Sequence, residues 1–387
     1  MRLRHPDGTL VHVAYCANVH PADDFPGVLD RLTRYAVPVR ERLGLPRLSI
    51  GLWLPRPVAA ELVADPAVME RLRAALTAGG LEVVTLNGFP YEGFGREVVK
   101  TDVYLPDWAD PARLGYTLDL ARLLTSLLPP DAERGSVSTL PLGWRPWWNA
   151  DRADAARRHL DALATGLADL EAETGRTVRV GLEPEPGCVV ETTADAVTHL
   201  SGLDPDRIGI CLDTCHLAVA FEDPAAAVAR LGAAGLPIVK TQASVALHAQ
   251  APGEARGPLA GFAEPRYLHQ TRALVDGRVE GTDDLPAALD GTGALPPDAP
   301  WRVHFHLPLH AAPEAPLTGT QAELTGSLRA LVGGPAALTD HIEVETYTWT
   351  VLPGGPTAED RLAGGIAAEL DWTRSELIRL GLKEETA

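Results

Sequence analysis

The chain has 387 residues, of which 45% are apolar and 22% charged, an ordinary balance for a globular protein. Its 34 Lys and Arg against 52 Asp and Glu give a formal net charge of −18, which disfavours nucleic acid and anionic lipid surfaces as general partners. No apolar run reaches the roughly 18–20 residues that span a bilayer, and the four cysteines form no CxxC motif. We therefore expect a cytoplasmic protein without membrane insertion. The sequence permits a homodimer without indicating one.

Short β-branched runs alternate with longer amphipathic segments along the chain. In chain order, the predicted strands are 10–16, 48–54, 81–87, 136–141, 177–183, 207–213, 237–242 and 342–346. The predicted helices are 25–44 (kinked at Pro38), 58–80, 112–128, 151–175, 192–200, 223–235, 324–334 and 358–381.

Strict alternation of strands and helices requires parallel strands with crossover connections, and eight repeats favour a closed barrel over an open sheet. An open doubly wound sheet should carry a glycine-rich first turn, which YCANVHPAD at 15–23 lacks. We predict a single (β/α)8 TIM barrel over residues 1–387.

A long connection at about 243–310 follows the seventh predicted strand. Its first part is rich in Pro, Gly and polar residues, and WRVHFH at 301–306 could form an extra strand. A connection of this length within a compact domain is typical of a lid or a binding loop. Tyr267 and His269 in EPRYLHQT would then close over a substrate.

Three predicted strands carry a carboxylate at their carboxyl end: Glu183 on the fifth, Asp213 on the sixth and Glu345 on the eighth. The carboxyl ends of barrel strands meet at one mouth, where such enzymes hold their active sites. Converging carboxylates repel one another, and a divalent cation such as Mn²⁺, Mg²⁺ or Zn²⁺ removes that repulsion. The three carboxylates could therefore form one shared metal site, or each could separately cap a helix. We favour the metal site.

Other polar side chains follow the same strand ends. His216 lies three residues after Asp213 and could bind metal or a substrate hydroxyl, while a capping or core histidine is the alternative. His304, His306 and His310 alternate in HFHLPLH, so they form either a metal clamp or a solvated turn, and His306 is our candidate. Further candidates for substrate contact are Glu185, Lys240, Asn87 and His20.

LDTCH, a strand ending in LEPEPG and a later IEVET together resemble the xylose-isomerase-like barrel superfamily, which includes sugar isomerases, ketose epimerases and endonuclease IV. The fuller pattern is most similar to the metabolite traffic protein EboE family. The motifs that carry this finer resemblance are YCANVHPAD (15–23), TLNGFPYEGF (85–94), VVKTDVYLPDW (98–108), GLEPEPG (181–187), CLDTCHLAVAFEDP (211–224) and VKTQAS (239–244).

The resemblance implies a divalent metal held by Glu183, Asp213 and Glu345. Sugar epimerases of the superfamily commonly place a histidine on strand seven, where this sequence has Lys240 and Gln242. Either the amide oxygen of Gln242 or His306 would then supply the fourth ligand.

The leading functional hypothesis is a metal-dependent isomerase or epimerase of a sugar-like or cyclitol-like polyol, with Glu183 and Glu345 transferring protons. Glu185 is a second candidate for the base. A non-catalytic metabolite carrier with the same metal pocket is the main alternative. Two further hypotheses are a metal-dependent phosphoesterase of the endonuclease IV type, which the net charge disfavours, and Schiff-base chemistry at Lys240, which neighbouring carboxylates oppose.

Overall fold

The computed structural model describes residues 1–293, 295–355 and 359–385. Its strands are β1 (Arg2–Arg4), β2 (Leu10–Cys16), β3 (Leu48–Trp53), β4 (Leu81–Asn87), β5 (Arg134–Thr139), β6 (Thr177–Leu182), β7 (Ile208–Asp213), β8 (Ile238–Ala243), β9 (Val245–Ala249), β10 (Thr271–Val275), β11 (Arg278–Thr282), β12 (Trp301–Leu307), β13 (Thr318–Gly319), β14 (His341–Val344) and β15 (Lys383–Glu384).

The α-helices are α1 (Phe25–Arg31), α2 (Val37–Arg42), α3 (Arg56–Ala64), α4 (Pro66–Gly79), α5 (Pro111–Leu127), α6 (Ala150–Thr174), α7 (Thr193–Leu200), α8 (Thr214–Val219), α9 (Pro224–Ala233), α10 (Arg256–Ala260), α11 (Leu285–Asp290), α12 (Gln321–Val332) and α13 (Glu359–Arg379). The last predicted helix begins at position 358, which lies outside the described residues.

The parallel strands β2 to β8 and β14 form a closed barrel. They pair in the order β14-β8-β7-β6-β5-β4-β3-β2, and β14 pairs again with β2, with His341 opposite His12 and Val344 opposite Tyr15. Within the described residues these are the eight strands of a TIM barrel with helices between them, so the predicted fold class is confirmed. The strand bounds agree with the predicted ones to within two residues, because strands buried on both faces are continuous apolar runs.

Two predicted helices are interrupted. The helix predicted over 25–44 contains a π-helical turn at Leu32–Ala36, since Pro38 lacks an amide hydrogen and its ring conflicts with the carbonyl group of the preceding turn. The prediction of one helix over 58–80 is wrong. Pro66 forces Asp65 into an extended conformation, so α3 ends there and α4 begins, with the Asp65 carboxylate accepting from Ala67 N.

The connection after β8 contains a second sheet. Its antiparallel strands lie in the order β11-β10-β12-β9-β13, and β12 contains the predicted extra strand at 301–306. The segment predicted as a lid over 243–310 therefore has regular structure of its own, and β12 runs to the barrel mouth. Helix α8 was not predicted, and it begins directly after β7 with Asp213 as its N-cap.

Candidate metal centre at the barrel mouth

The carboxylates predicted at three strand ends lie together in the structure. One carboxylate oxygen from each of Glu183, Asp213 and Glu345 lies within 4.8 Å of the other two, and all three side chains are buried. Burial and mutual repulsion raise the pKa of Glu183 well above its ordinary value and that of Glu345 to about 8. Carboxylates held this close need protons or a cation.

Neighbouring groups fix the orientation of Asp213 and Glu345. Asp213 Oδ1 accepts hydrogen bonds from His216 N at 2.9 Å and Ser244 Oγ at 2.7 Å. Glu345 Oε1 accepts from Asn18 Nδ2 at 2.6 Å and from Asn87 Nδ2 at 3.1 Å. Asp213 Oδ2 and Glu183 Oε2 are left without a hydrogen-bond partner among the described residues. These orphaned acceptors fit a divalent cation.

His306 brings an imidazole from the second sheet to the same place. Its Nδ1 lies 2.8 Å from the backbone oxygen of Glu345, which can only accept, so Nδ1 carries the hydrogen. Nε2 then presents a lone pair 4.0 Å from Asp213 Oδ2, with no partner in the described part of the chain. Burial lowers the pKa of His306 to about 4, so the ring is neutral, as a metal ligand must be.

Lys240 and Gln242, both on β8, lie inside the barrel and do not line the pocket that opens above the carboxylates. Lys240 Nζ donates to Glu343 Oε2 at 2.7 Å inside the barrel, and neither side chain is exposed. Burial alone would lower the pKa of Lys240, yet the Glu343 carboxylate raises it above its ordinary value, which opposes a neutral nucleophile. The Gln242 amide is buried and has no partner within residues 1–293, 295–355 and 359–385.

A pocket at the barrel mouth opens above the carboxylates. Its polar lining includes six residues predicted from the sequence to contact metal or substrate, namely Glu183, Glu185, Glu345, His216, Asn87 and His306. An apolar wall completes it, formed by Phe89, Phe94, Tyr104, Tyr267 and Tyr347. A polar floor under an aromatic wall suits a small polyol, whose hydroxyl groups and C–H faces need both kinds of contact.

His20 and His269, which were predicted to touch substrate, are not part of the pocket lining. His20 stacks on Tyr35 at 4.8 Å and lies 3.0 Å from Tyr15 Oη. His269 bonds to Glu264 at 2.8 Å and to the backbone oxygen of His304 at 2.9 Å. His269 therefore contacts the strand that carries His304 and His306, whereas His20 packs against two tyrosines outside the pocket.

The sequence analysis missed Tyr104, Tyr347 and the role of His304. Tyr104 Oη donates to Glu185 Oε1 at 2.7 Å from a 3₁₀ segment that carried no strand or helix signal. Tyr347 follows Glu345 by two residues, and His304 shares the parity of His306 on β12. Because alternate residues of a strand face the same side, the position of His304 two residues before His306 could have identified it. Tyr104 comes from a long loop whose path the sequence does not reveal.

A family model described as xylose isomerase-like TIM barrel matches residues 50–266, and the chain belongs to that family. No curated protein matches the chain. A solved xylose isomerase-like TIM barrel protein from Mycobacterium smegmatis in complex with magnesium is 16% identical, with a TM-score of 0.50 over 97% of this chain and 94% of that one.

A D-psicose 3-epimerase is 13% identical with a TM-score of 0.49, covering 95% of this chain and 99% of that one. The probable 3-DHS dehydratase AsbF from Bacillus anthracis is 14% identical with a TM-score of 0.46, covering 94% and 98%. At 16% identity, the likeness to the magnesium-bound protein concerns the fold alone. Across the described residues, we find no helix that combines the length and apolar character required to cross a bilayer.

Proposed function

We propose that the protein is a metal-dependent isomerase or epimerase acting on a sugar-like or cyclitol-like polyol. The observation that carries the proposal is the convergence of Glu183, Asp213 and Glu345, whose carboxylate oxygens lie within 4.8 Å of one another under an open pocket. Membership of the xylose isomerase-like family agrees with this class of reaction.

The proposed ligands are Glu183, Asp213, Glu345 and His306. We favour His306 over Gln242 as the fourth, because the unpartnered Nε2 of His306 lies 4.0 Å from the unpartnered Asp213 Oδ2. When bound, a divalent cation such as Mn²⁺, Mg²⁺ or Zn²⁺ would polarise substrate oxygens and acidify the neighbouring C–H group.

Glu183 and Glu345 come from separate strands and are suited to exchange a proton with substrate. The amides of Asn18 and Asn87 hold Glu345 in one orientation, which a proton-transfer group needs. Glu185 is a further candidate base, since burial raises its pKa to about 7 and Tyr104 orients it. Tyr267 and Tyr347 line the pocket, where their rings would shield a bound substrate from water.

The second candidate is a non-catalytic metabolite-binding protein of the EboE traffic type that uses the same pocket. The observation that favours it is the lack of an imidazole on β8, where Lys240 is engaged by Glu343 instead. Phosphoester hydrolysis of nucleic acid is a weaker candidate, because the net charge of −18 repels a polyanion.

Metal analysis combined with hydrogen exchange tests the proposal. Protein purified without chelator should contain bound metal, and Glu345→Gln and Asp213→Asn should each lower the occupancy by tenfold or more, whereas the exposed control Asp161→Asn should not. Incubation with ketoses and inososes in deuterated water should place deuterium at a carbon of one of them, with an unchanged metal-free control.

Tight binding of a polyol without exchange over hours would favour the carrier instead. Unchanged metal content in both carboxylate variants would remove the proposed site. Cleavage of abasic duplex DNA would favour the phosphoesterase.

A further inference from the structure

The outer strand of the second sheet has one edge without a partner strand. Among the described residues β11 pairs with β10 alone, and it stands at the end of the strand order of its sheet. Four of its five residues are exposed, and the fifth, Thr282, is half-buried. An open edge of this kind presents a row of unpaired backbone groups with which another strand can pair.

The turn before β11 determines which residues bond back to β10. Asp276 and Gly277 both have positive φ, at 48° and 77°, as in the two-residue turn whose twist matches that of a hairpin. Val275 and Arg278 flank this turn as a directly opposed pair. In such a hairpin the flanking pair exchanges hydrogen bonds, and every second pair along the ladder does the same. The backbone groups of Arg278 are therefore bonded to β10.

The intervening residues direct their backbone groups the other way. Leu274 lies opposite Val279, and Leu274 N donates away from β11, to the backbone oxygen of Pro300. Val279 accordingly directs its own N–H and C=O groups to the open edge of β11, and Gly281 does so two residues further along. The open edge thus offers donors and acceptors at alternate positions.

The side chains of β11 add charge to this edge. Arg278 and Glu280 share one face of the strand, and both are exposed. Neither forms an ion pair or a side-chain hydrogen bond with another described residue. Val279 is on the opposite face, where it is 44% exposed and lines a surface groove together with Pro146 and Trp148. The strand therefore carries one free cation, one free anion and an exposed apolar side chain.

We propose that β11 pairs with β11 of a second copy of this chain, antiparallel and across a two-fold axis at Val279. In this register the Val279 residues of the two copies exchange N–H···O=C bonds, because both direct these groups to the open edge. Arg278 of each copy lies opposite Glu280 of the other, which gives two symmetry-related ion pairs. The two five-stranded sheets then form one continuous sheet.

Charge selects both this register and this occupant. An axis at Glu280 would place two carboxylates opposite each other, and an axis at Arg278 would place two guanidinium groups opposite each other, which is unfavourable. The segment Arg278–Glu280 is complementary in charge to itself when read in reverse, so the fitting partner is the same strand of a second copy. The pairing does not depend on the proposed isomerase activity, because no residue of β11 lines the pocket at the barrel mouth.

Sedimentation equilibrium of the full chain over a range of concentrations tests the pairing, at roughly 0.15 M salt to screen the net charge of −18. The wild type should form a dimer. Arg278→Glu and Glu280→Arg should each raise the dimer Kd by about tenfold or more, because two attractive pairs become repulsive. The exposed control Glu70→Arg on α4 should leave the Kd unchanged.

Two rescue experiments separate the register from a general effect of charge. Mixing the Arg278→Glu and Glu280→Arg proteins in equal amounts should restore a dimer, since each interface carboxylate then faces a guanidinium group. The double variant Arg278→Glu/Glu280→Arg should dimerise on its own for the same reason. Circular dichroism identifies any misfolded variant, and the double variant and the mixture do not depend on a single substitution.

Amide hydrogen exchange gives a second readout. The amide hydrogens of Val279 and Gly281 should exchange slowly in the dimer and rapidly in the Arg278→Glu monomer. A wild type that is monomeric at every concentration would overturn the proposal, and so would a dimer that neither charge variant weakens. Loss of the dimer in both single variants without recovery in the mixture would also overturn it. Protection of these two amides in a monomer would mean that the chain itself covers the edge, which would overturn it as well.

Discussion

Lys240 Nζ donates a 2.7 Å hydrogen bond to Glu343 Oε2 inside the barrel, and neither side chain is exposed to solvent. The lysine also lies near the carboxylate cluster, where its positive charge partly offsets the repulsion around Glu183 and Glu345. Removing one partner of a buried ion pair leaves an uncompensated charge, which typically costs about 3–5 kcal/mol. We therefore expect Glu343→Gln to lower the free energy of unfolding by that amount, measured by urea denaturation.

The matched control is Glu70→Gln on α4, because Glu70 forms an exposed pair with Arg73 at 3.7 Å. Exposed pairs contribute about 0–1 kcal/mol, so this variant should remain close to wild type. Equal effects of the two substitutions would contradict the idea that Lys240 depends on Glu343.

The eight barrel strands could be predicted because each is a short, continuous apolar run between turn residues, and the strand ends then located Glu183, Asp213 and Glu345. The second sheet could not be predicted from the sequence. Antiparallel pairings such as that of β12 with β9 depend on long-range contacts that the local sequence does not encode. The same holds for the facing of His216 and His304, which are 88 positions apart. The alternation of histidines on β12 indicated a shared face, without revealing its partner.

Gly51 on β3 makes room for Glu343. A Cβ atom at this position would lie 1.3 Å from Glu343 Oε1, far inside van der Waals contact. Gly51→Ala should therefore displace the carboxylate from Lys240 and destabilise the fold by about 3 kcal/mol, the upper end of ordinary overpacking costs. Thermal unfolding of the variant measures this.

Gly115→Ala serves as the comparison, because Gly115 lies on the exposed face of α5 with nothing within 4 Å of a new Cβ. Alanine is the better helix former, so this variant should be more stable by about 0.5–1 kcal/mol. A Gly51→Ala protein as stable as wild type would show that Glu343 can move without cost.

His341 at the amino-terminal end of β14 should make stability depend on pH. Burial lowers the pKa of His341 to about 3. The Asp340 carboxylate raises this pKa, and the neighbouring His12 lowers it. The unfolded chain binds a proton at this ring near pH 6.5, whereas the folded chain does not. The contribution of His341 to the free energy of unfolding is therefore complete above pH 6.5 and is lost as the pH falls. Between pH 6.5 and pH 4.5 the loss should be about 2 kcal/mol from this one group.

His341→Gln should remove that part of the pH dependence while its amide still reaches Ser136 Oγ, which lies 2.6 Å from His341 Nδ1. Urea denaturation at several pH values gives the slopes. His199→Gln, at an exposed position of α7, should leave the slope as in wild type. An unchanged slope in His341→Gln would mean that the folded protein protonates this ring.

A divalent cation at the carboxylate site should stabilise the folded chain, since the converging ligands exist only in that state. A ligand at 100 times its dissociation constant adds about 2.7 kcal/mol, which corresponds to roughly 3 °C in Tm for a chain of this length. Scanning calorimetry of metal-free protein with and without Mn²⁺ should show this rise.

Asp213→Asn should abolish the rise in Tm, because an amide removes one anionic ligand yet still caps α8 through its oxygen. Without metal, the same variant should be at least as stable as wild type, because one of three mutually repelling carboxylates is gone. An equal rise in Tm for wild type and Asp213→Asn would place the stabilising ion elsewhere on the acidic surface.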